Sequence, residues 1–585
     1  MAKSVKKETT GKTKKKAAVK KSASKKSTAK KTSAAQSKKA KEVKTAAQKV
    51  EAKVEAPKVE TKADTAVQTS LAVTLLNNIG AWSKLSALVA GAVLTAALPP
   101  FYYTWALFLA FSVLMFLLCR AGSGKNAAAV GYWFGFGYFA FGFYWIGNAL
   151  LVDVAETGWL YPIVLLLNGA FFGLFAIIPA LITRAGRNAL SKMLLFAAGW
   201  CLIVEWLRGF ILTGFPWNPV SSILGFSPAM LQVLGLFGTY GVSLLLVFAA
   251  SIPAFWLLKP TRKRAWVVML PLCMWLGAWQ YGLFVLDKRP QIPDGHSLVI
   301  RLVQPSIPQS LKWDKDILEQ NLQEYIDLSN AQDSHYIDFT VWGETASPFD
   351  LMYDYPHNRK VMNAVPRYGR LITGFLRRED NGRRVIPHNS LAVMNTKGEV
   401  EAWYDKSHLV PFGEYMPFRK YLPDWVRPLA NVVAEFGRGE QYKIIKTGEY
   451  PAFAPLICYE VIFSDEVVKK GAEKPTWAVV LTNDGWYGVS SGPYQHLVAA
   501  QMRAAEEGIS IVRSANSGIS AVISAYGEIR AKIPLGTKAA IDALIKPEEA
   551  HQTLFGTYGN KIPLALSGVF LLLGLLCSLA SKRKK

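Results

Sequence analysis

Charge is scarce in this chain. Asp, Glu, Lys and Arg together make only 19% of its 585 residues, while hydrophobic residues make 51% and Phe, Trp and Tyr 12%. That balance argues against a wholly water-soluble protein and suits one partly dissolved in lipid. Cysteine is scarce too. Cys119, Cys201, Cys273, Cys458 and Cys577 have no regular spacing, so neither a disulfide framework nor a zinc site is indicated. The seven histidines are scattered, and no HExxH or CxxC pattern occurs, which leaves a metal with little support. Residues 1–70 almost lack large apolar side chains. They are Lys, Ala, Ser and Thr, and the first 64 carry 21 lysines against 6 acidic residues. Such a segment cannot bury enough surface to offset its ordering entropy, so a disordered tail is expected. A solvated polycation beside the anionic cytoplasmic leaflet is a better reading than nucleic-acid binding, which basic composition alone would permit. With no apolar core in its first 30 residues, the tail does not read as a secretory signal peptide.

From about residue 84 the chain turns apolar. Candidate spans are 85–99, 101–119, 129–151, 159–183, 193–213, 230–258, 265–286 and 562–580. Most have the length needed to cross about 30 Å of hydrocarbon. The first two meet at Pro99-Pro100, as a hairpin or one broken helix. Arg120 and Lys125, then Arg184, Arg187 and Lys192, then Lys259, Arg262, Lys263 and Arg264 occupy every second connection, and Lys582–Lys585 close the chain. By the positive-inside rule these connections and both termini are cytoplasmic, which leaves residues 287–561 on the outer side. The expected organisation is a tail (1–70), a bundle of about seven spans (84–286), an outer domain (287–550) and a last span (562–580). Glu205 and Arg208, three apart in the fifth span, mark a functional site inside the membrane or, the better reading, a pair that satisfies each other on one helix face.

Residues 297–545 alternate apolar runs, at 297–303, 337–342, 371–374, 390–394, 453–458, 477–482, 510–514 and 520–524, with helical patterns such as 317–328 and 497–507. This argues for a layered α/β domain. Three polar residues stand just past strands or in the loops that follow, where such folds gather their sites. Glu344 ends Val341-Trp342-Gly343-Glu344. Lys406 stands in Tyr404-Asp405-Lys406-Ser407-His408, ahead of Pro411-Phe412-Gly413-Glu414. Cys458, the only cysteine outside the apolar spans, ends Pro455-Leu456-Ile457-Cys458. A thiolate can attack an ester, a carboxylate can take and return its proton, and an ammonium can hold an oxyanion. A Cys–His pair using His408 is the rival chemistry.

Glu, Lys and Cys in that order resemble the nitrilase (carbon–nitrogen hydrolase) superfamily, as do Asn483-Asp484-Gly485-Trp486-Tyr487-Gly488 and Arg513-Ser514-Ala515-Asn516-Ser517-Gly518. From residue 85 onward the chain more closely resembles the apolipoprotein N-acyltransferases of bacterial inner membranes. Ile307-Pro308-Gln309-Ser310-Leu311-Lys312-Trp313, Gly214-Phe215-Pro216-Trp217, His408–Glu414 and Cys458-Tyr459-Glu460 carry that likeness. It implies a membrane bundle of about eight spans plus a periplasmic α-β-β-α sandwich. It implies Glu344, Lys406 and Cys458 as catalytic residues. Glu414, Tyr459 and Glu460 would support them, by orienting Lys406 or gripping an amine, and Trp313 would line an acyl path. The reaction implied is acyl transfer from a phospholipid, through a Cys458 thioester, to the α-amino group of a diacylglyceryl-modified apolipoprotein, by a monomer without cofactor. A membrane-anchored amidase and a membrane tether with an inactive outer domain are the alternatives. Two departures stand out: the Lys-rich tail, and Gly343 where proline often precedes the first Glu, expected to alter backbone stiffness and not chemistry. Residues 415–436, rich in aromatics, prolines and arginines, read equally as a segment dipping into the outer leaflet or a helix packed on the sheet.

Overall fold

The computed structural model describes residues 74, 77–259, 266–331, 336–382, 384–421, 423 and 435–581. The tail expected at 1–70, Arg262, Lys263, Arg264 and Lys582–Lys585 lie outside them, as do 422 and 424–434 of the aromatic segment. The chain divides into Met1–Leu75 and Leu76–Lys585, and the elements below belong to the second unit.

Among the described residues, five helices are long and apolar enough to cross a bilayer. Two shorter apolar ones precede them, α1 (Ser83–Ala97) and α2 (Trp105–Arg120), separated at Pro99-Pro100. Next comes α3 (Gly124–Gly142), capped by the Ser123 side chain, which accepts from Asn126 N. The expected third span is helical only to Gly142 and runs on as tight 3-10 turns over Tyr144–Leu151. The long helices are α4 (Val154–Ala185), α5 (Ala189–Gly209), α6 (Leu234–Leu258), α7 (Trp266–Asp287) and, near the C-terminus, α10 (Lys561–Ala580). Leu270, Leu276 and Leu283 of α7 and Leu572 and Leu576 of α10 are exposed, an apolar outer face of the kind lipid covers. Small residues let the inner helices touch. A Cβ on Gly91 of α1 would stand 2.0 Å from Phe134 O, and one on Gly137 of α3 would stand 2.1 Å from Leu88 O.

The intervening chain forms two sheets. The first has strand order β11-β1-β2-β3-β4-β5, from β1 (Leu298–Gln304), β2 (Phe339–Val341), β3 (Arg370–Asp380), β4 (Val385–Met394), β5 (Val400–Asp405) and β11 (Ala539–Ile545). The second has order β10-β9-β8-β7-β6, from β6 (Phe453–Ile457), β7 (Trp477–Thr482), β8 (Ser510–Ala515), β9 (Ser520–Ile523) and β10 (Ile529–Ile533). β1–β2–β3 and β6–β7–β8 pair in parallel, and the outer pairings are antiparallel.

The strands' two-residue period sorts their side chains into layers. Ile300, Leu302, Val341 and Val393 of the first sheet meet Ile457, Val479, Leu481 and Val512 of the second in one buried core. The first sheet's other face, with Val303, Leu371 and Met394, packs with Leu322, Tyr325 and Ile326 of α8 (Leu318–Asn330). The second sheet's other face, with Leu456, Val480 and Ile511, packs with α9 (Gly492–Glu507), and that cluster continues without a break into α2, α3, α5 and α6. The domain is therefore an α-β-β-α sandwich whose second helical layer shares its core with the bundle.

Candidate active site

Three loops meet at the C-terminal edges of the parallel strands. Lys406 follows β5 directly. A fork of two hydrogen bonds from Arg377 to Asp405, each 2.9 Å, anchors the residue before it. The Lys406 ammonium lies 3.0 Å from Glu414 Oε1 and 3.4 Å from Glu344 Oε1, and its side chain is 1% exposed. Burial works to lower its pKa, but Glu414, then Glu344 and Cys458, overcome that and hold the ammonium well above its ordinary range. Asn389 of β4 donates its amide to Glu344 Oε1 (2.7 Å) and Glu414 Oε1 (3.0 Å), so one cation and one amide tie the two carboxylates together.

Cys458 follows β6 in the left-handed region, at φ +53°. A non-glycine residue there is strained, and such strain gathers at functional turns. The turn lifts the thiol out of the strand's alternation. The thiol is buried and lies 3.3 Å from the Thr482 hydroxyl. Burial, then the Glu344 carboxylate, push the thiol up, and Lys406 opposes them. The resting sulfur therefore keeps its proton and needs a base to lose it.

Glu460 is wholly occupied within the protein. Its Oε1 accepts from Tyr404 OH, Ser407 N, Ser407 Oγ and His408 N, and its Oε2 accepts from Ile457 N. It pins the loop after Lys406 to the strand before Cys458. Glu414 Oε2 likewise accepts from Val410 N at 2.8 Å. Tyr459 is buried; its hydroxyl donates to Gly214 O and its ring stacks on Phe215 at 6.1 Å. The half-buried Trp313 ring lies 5.7 Å from the Lys312 ammonium.

His408 is turned away from the sulfur. Its ring nitrogens face Glu466 Oε2 (3.2 Å) and Thr213 O (2.6 Å), and the ring stacks on Phe463 at 3.8 Å. The Cys–His alternative therefore has no geometric basis. Glu205 and Arg208 also depart from expectation. Glu205 accepts from Trp200 Nε1 and Val220 N, while Arg208 donates to the carbonyls of Val204, Phe215 and Trp217. The two are not each other's hydrogen-bond partners, and the turn that carries Glu205 is π-helical over Trp200–Trp206. Arg208 instead holds the Gly214–Trp217 loop, whose neighbours are Tyr459 and His496. Gly343 is a matter of space as well as stiffness: a Cβ there would stand 2.5 Å from Asn516 N. Of the aromatic segment, Met416 is buried, Phe418 and Tyr421 are exposed, and the described part holds only one 3-10 turn, Arg419–Tyr421.

Sequence reasoning passed over Lys312. Its ammonium donates 2.8 Å bonds to Glu344 O and Thr345 Oγ1. Thr345 stands at φ +44°, so Lys312 clasps the strained turn that presents Glu344. Burial pushes it down to about 8, against the pull of Glu344 and Cys458. The signal is its place in the Ile307–Trp313 motif, next to Trp313.

The family model for the apolipoprotein N-acyltransferase N-terminal domain matches residues 90–252, and that for carbon-nitrogen hydrolase matches 299–554. An apolipoprotein N-acyltransferase of Brucella melitensis is 35% identical over 491 residues, 81% of this chain and 91% of that relative. One of Rhodopseudomonas palustris is 34% identical over 515 residues, 85% of this chain and 95% of that relative. A solved CN-hydrolase superfamily protein of Xanthomonas campestris covers 43% of this chain and 91% of its own at 18% identity, with a TM-score of 0.32.

Proposed function

The chain belongs to the apolipoprotein N-acyltransferase family, and from that membership we infer that it is an N-acyltransferase that acylates lipoproteins. The amidase alternative is not favoured, because relatives matched over nine-tenths of their length carry the transferase name. The observation that carries the catalytic reading is a buried lysine held between Glu344 and Glu414 in the field of the Cys458 thiol.

In the first half-reaction, Glu344 takes the thiol proton as Sγ attacks an ester carbonyl of a phospholipid. Lys406 and the N–H groups at the turn after Cys458 hold the oxyanion. The C–O bond breaks, Glu344 returns the proton to the departing alkoxide, and a thioester remains on Cys458. In the second, the α-amino group of a diacylglyceryl-cysteine attacks the thioester. Glu344 takes a proton from the amine and returns it to the sulfur as the C–S bond breaks. Passing a proton between Cys458 and Glu344 leaves the net charge of the buried cluster unchanged, so no new ion has to be desolvated. Both substrates have acyl chains in the bilayer, which is why the catalyst is membrane-borne. About eight spans, a multi-pass place in the bacterial inner membrane, a periplasmic sandwich and a monomer complete the reading. The alternation of basic connections supports the orientation.

Incubation with acyl-labelled phospholipid and no acceptor tests the proposal by peptide mass spectrometry. The expected result is an acyl adduct on Cys458 that an amine acceptor discharges and that Cys458→Ala abolishes. An adduct on another residue, or label released only as free fatty acid, sinks it.

A further inference from the structure

Next to Cys458 lies a polar cluster that neither half-reaction uses. Thr482 is fully buried at the end of β7, and the side chains of Asp484, His496 and Arg513 are 0% exposed. Arg513 donates to Asp484 Oδ2 at 2.7 Å, and His496 Nδ1 lies 2.7 Å from Asp484 Oδ1. The other ring nitrogen of His496 lies 3.0 Å from the carbonyl oxygen of Cys458 and so braces the strained residue. The Thr482 hydroxyl stands between two acceptors, 3.3 Å from Cys458 Sγ and 3.2 Å from Asp484 Oδ1.

A hydroxyl has one proton to give. While the sulfur is a thiol it accepts weakly, and the carboxylate takes the bond. Once the thiol proton has passed to Glu344, the sulfur is an anion and the stronger attraction lies on its side. Asp484 can release the hydroxyl because Arg513 still donates to its Oδ2 at 2.7 Å and keeps the carboxylate paired. The S–H bond of Cys458 is exchanged for an O–H bond on Glu344, and no bond between heavy atoms changes; the Thr482 hydroxyl turns as the proton leaves.

Resting on Cys458 as the nucleophile, we propose that Thr482 is a further catalytic residue: a hydrogen-bond donor to the Cys458 thiolate, drawn from Asp484 to the sulfur when the thiol ionises. The same donor serves twice, because the sulfur is also the leaving group when the amine displaces it.

The test is the rate at which iodoacetamide alkylates Cys458 in the full-length enzyme in detergent, near neutral pH, read by mass spectrometry. This rate follows the thiolate fraction and needs neither acyl donor nor acceptor. Thr482→Val keeps the shape and removes the donor. It is expected to slow alkylation about tenfold, the size of a hydrogen bond to a charged group. Thr482→Ser is expected to restore the rate to within about twofold. Thr482→Ala, smaller and easily seated, gives the same reading if the valine variant does not fold. A donor-free variant that alkylates at the wild-type rate, or a serine variant as slow as valine, overturns the proposal. An acyl adduct on Cys458 together with alkylation indifferent to Thr482 would remove this proposal and leave the acyl-transfer reading standing. Slowed alkylation without any adduct would remove that reading instead.

Discussion

Lys406 decides whether the site can exist. It is the cation between two buried carboxylates, and removing it leaves Glu344 and Glu414 facing each other. Lys406→Met is expected to lose all acyl transfer and about 3–5 kcal/mol of stability, the usual result of breaking a buried pair from one side. Adding Glu414→Gln is expected to recover stability in thermal unfolding but no activity. Lys312 gives a pH-dependent prediction. Burial lowers it from its ordinary 10.5 to about 8, so between those values the unfolded chain binds more protons than the folded one. Stability contributed by this residue therefore rises with pH across that window. The gap in unfolding midpoint between wild type and Lys312→Met should shift in favour of wild type as pH climbs from about 8 towards 10. Glu344, Lys406 and Cys458 stand out in the sequence because each belongs to a short motif. Lys312 and His496 do not. One lies in a motif credited to its tryptophan, and the other falls just ahead of the pattern expected at 497–507, in a helix that begins at Gly492.

Among the elements, the turn after α5 links bundle to site. Arg208 is 1% exposed, and its guanidinium holds Phe215 O and Trp217 O. Those residues lie against Tyr459 and His496. Arg208→Met is expected to lower acyl transfer at least tenfold through kcat, by freeing the loop, while the enzyme still inserts and folds. Unchanged kinetics would show that the loop holds its place without the guanidinium. The α1–α3 crossing makes a second claim. Gly91→Val drives a side chain into Phe134 O and should cost about 1–3 kcal/mol of bundle stability or more, visible as a lowered unfolding midpoint in detergent. The buried strands were readable as apolar runs. β5, β10 and β11 escaped notice because their exposed and half-buried residues alternate, and an apolar-run criterion finds only strands covered on both faces.

One hydrophobic cluster runs from the helical bundle into the second helical layer of the sandwich, and Cys458 lies in the neighbouring cluster between the two sheets. Val489 is 91% exposed on the sandwich. A cysteine placed there by Val489→Cys should react with a membrane-impermeant maleimide added from the periplasmic side of whole cells; labelling only after inner-membrane lysis would reverse the assigned orientation. Deleting residues 2–70 should leave lipoprotein acylation intact in cells, since no step above uses the tail. What the sequence by itself determined was local: apolar length, basic connections, strand-end motifs, and through them the family and its chemistry. These follow from each residue's own transfer energy and from spacing along one strand or helix. What only the tertiary structure decided was pairing at a distance: that Arg208 grips the Gly214–Trp217 loop and not Glu205, that His408 faces Thr213 O, and that Thr482 and His496 reach Cys458 from separate elements. Buried polar groups must find partners wherever packing brings them, and no periodicity in a chain records which partner that is.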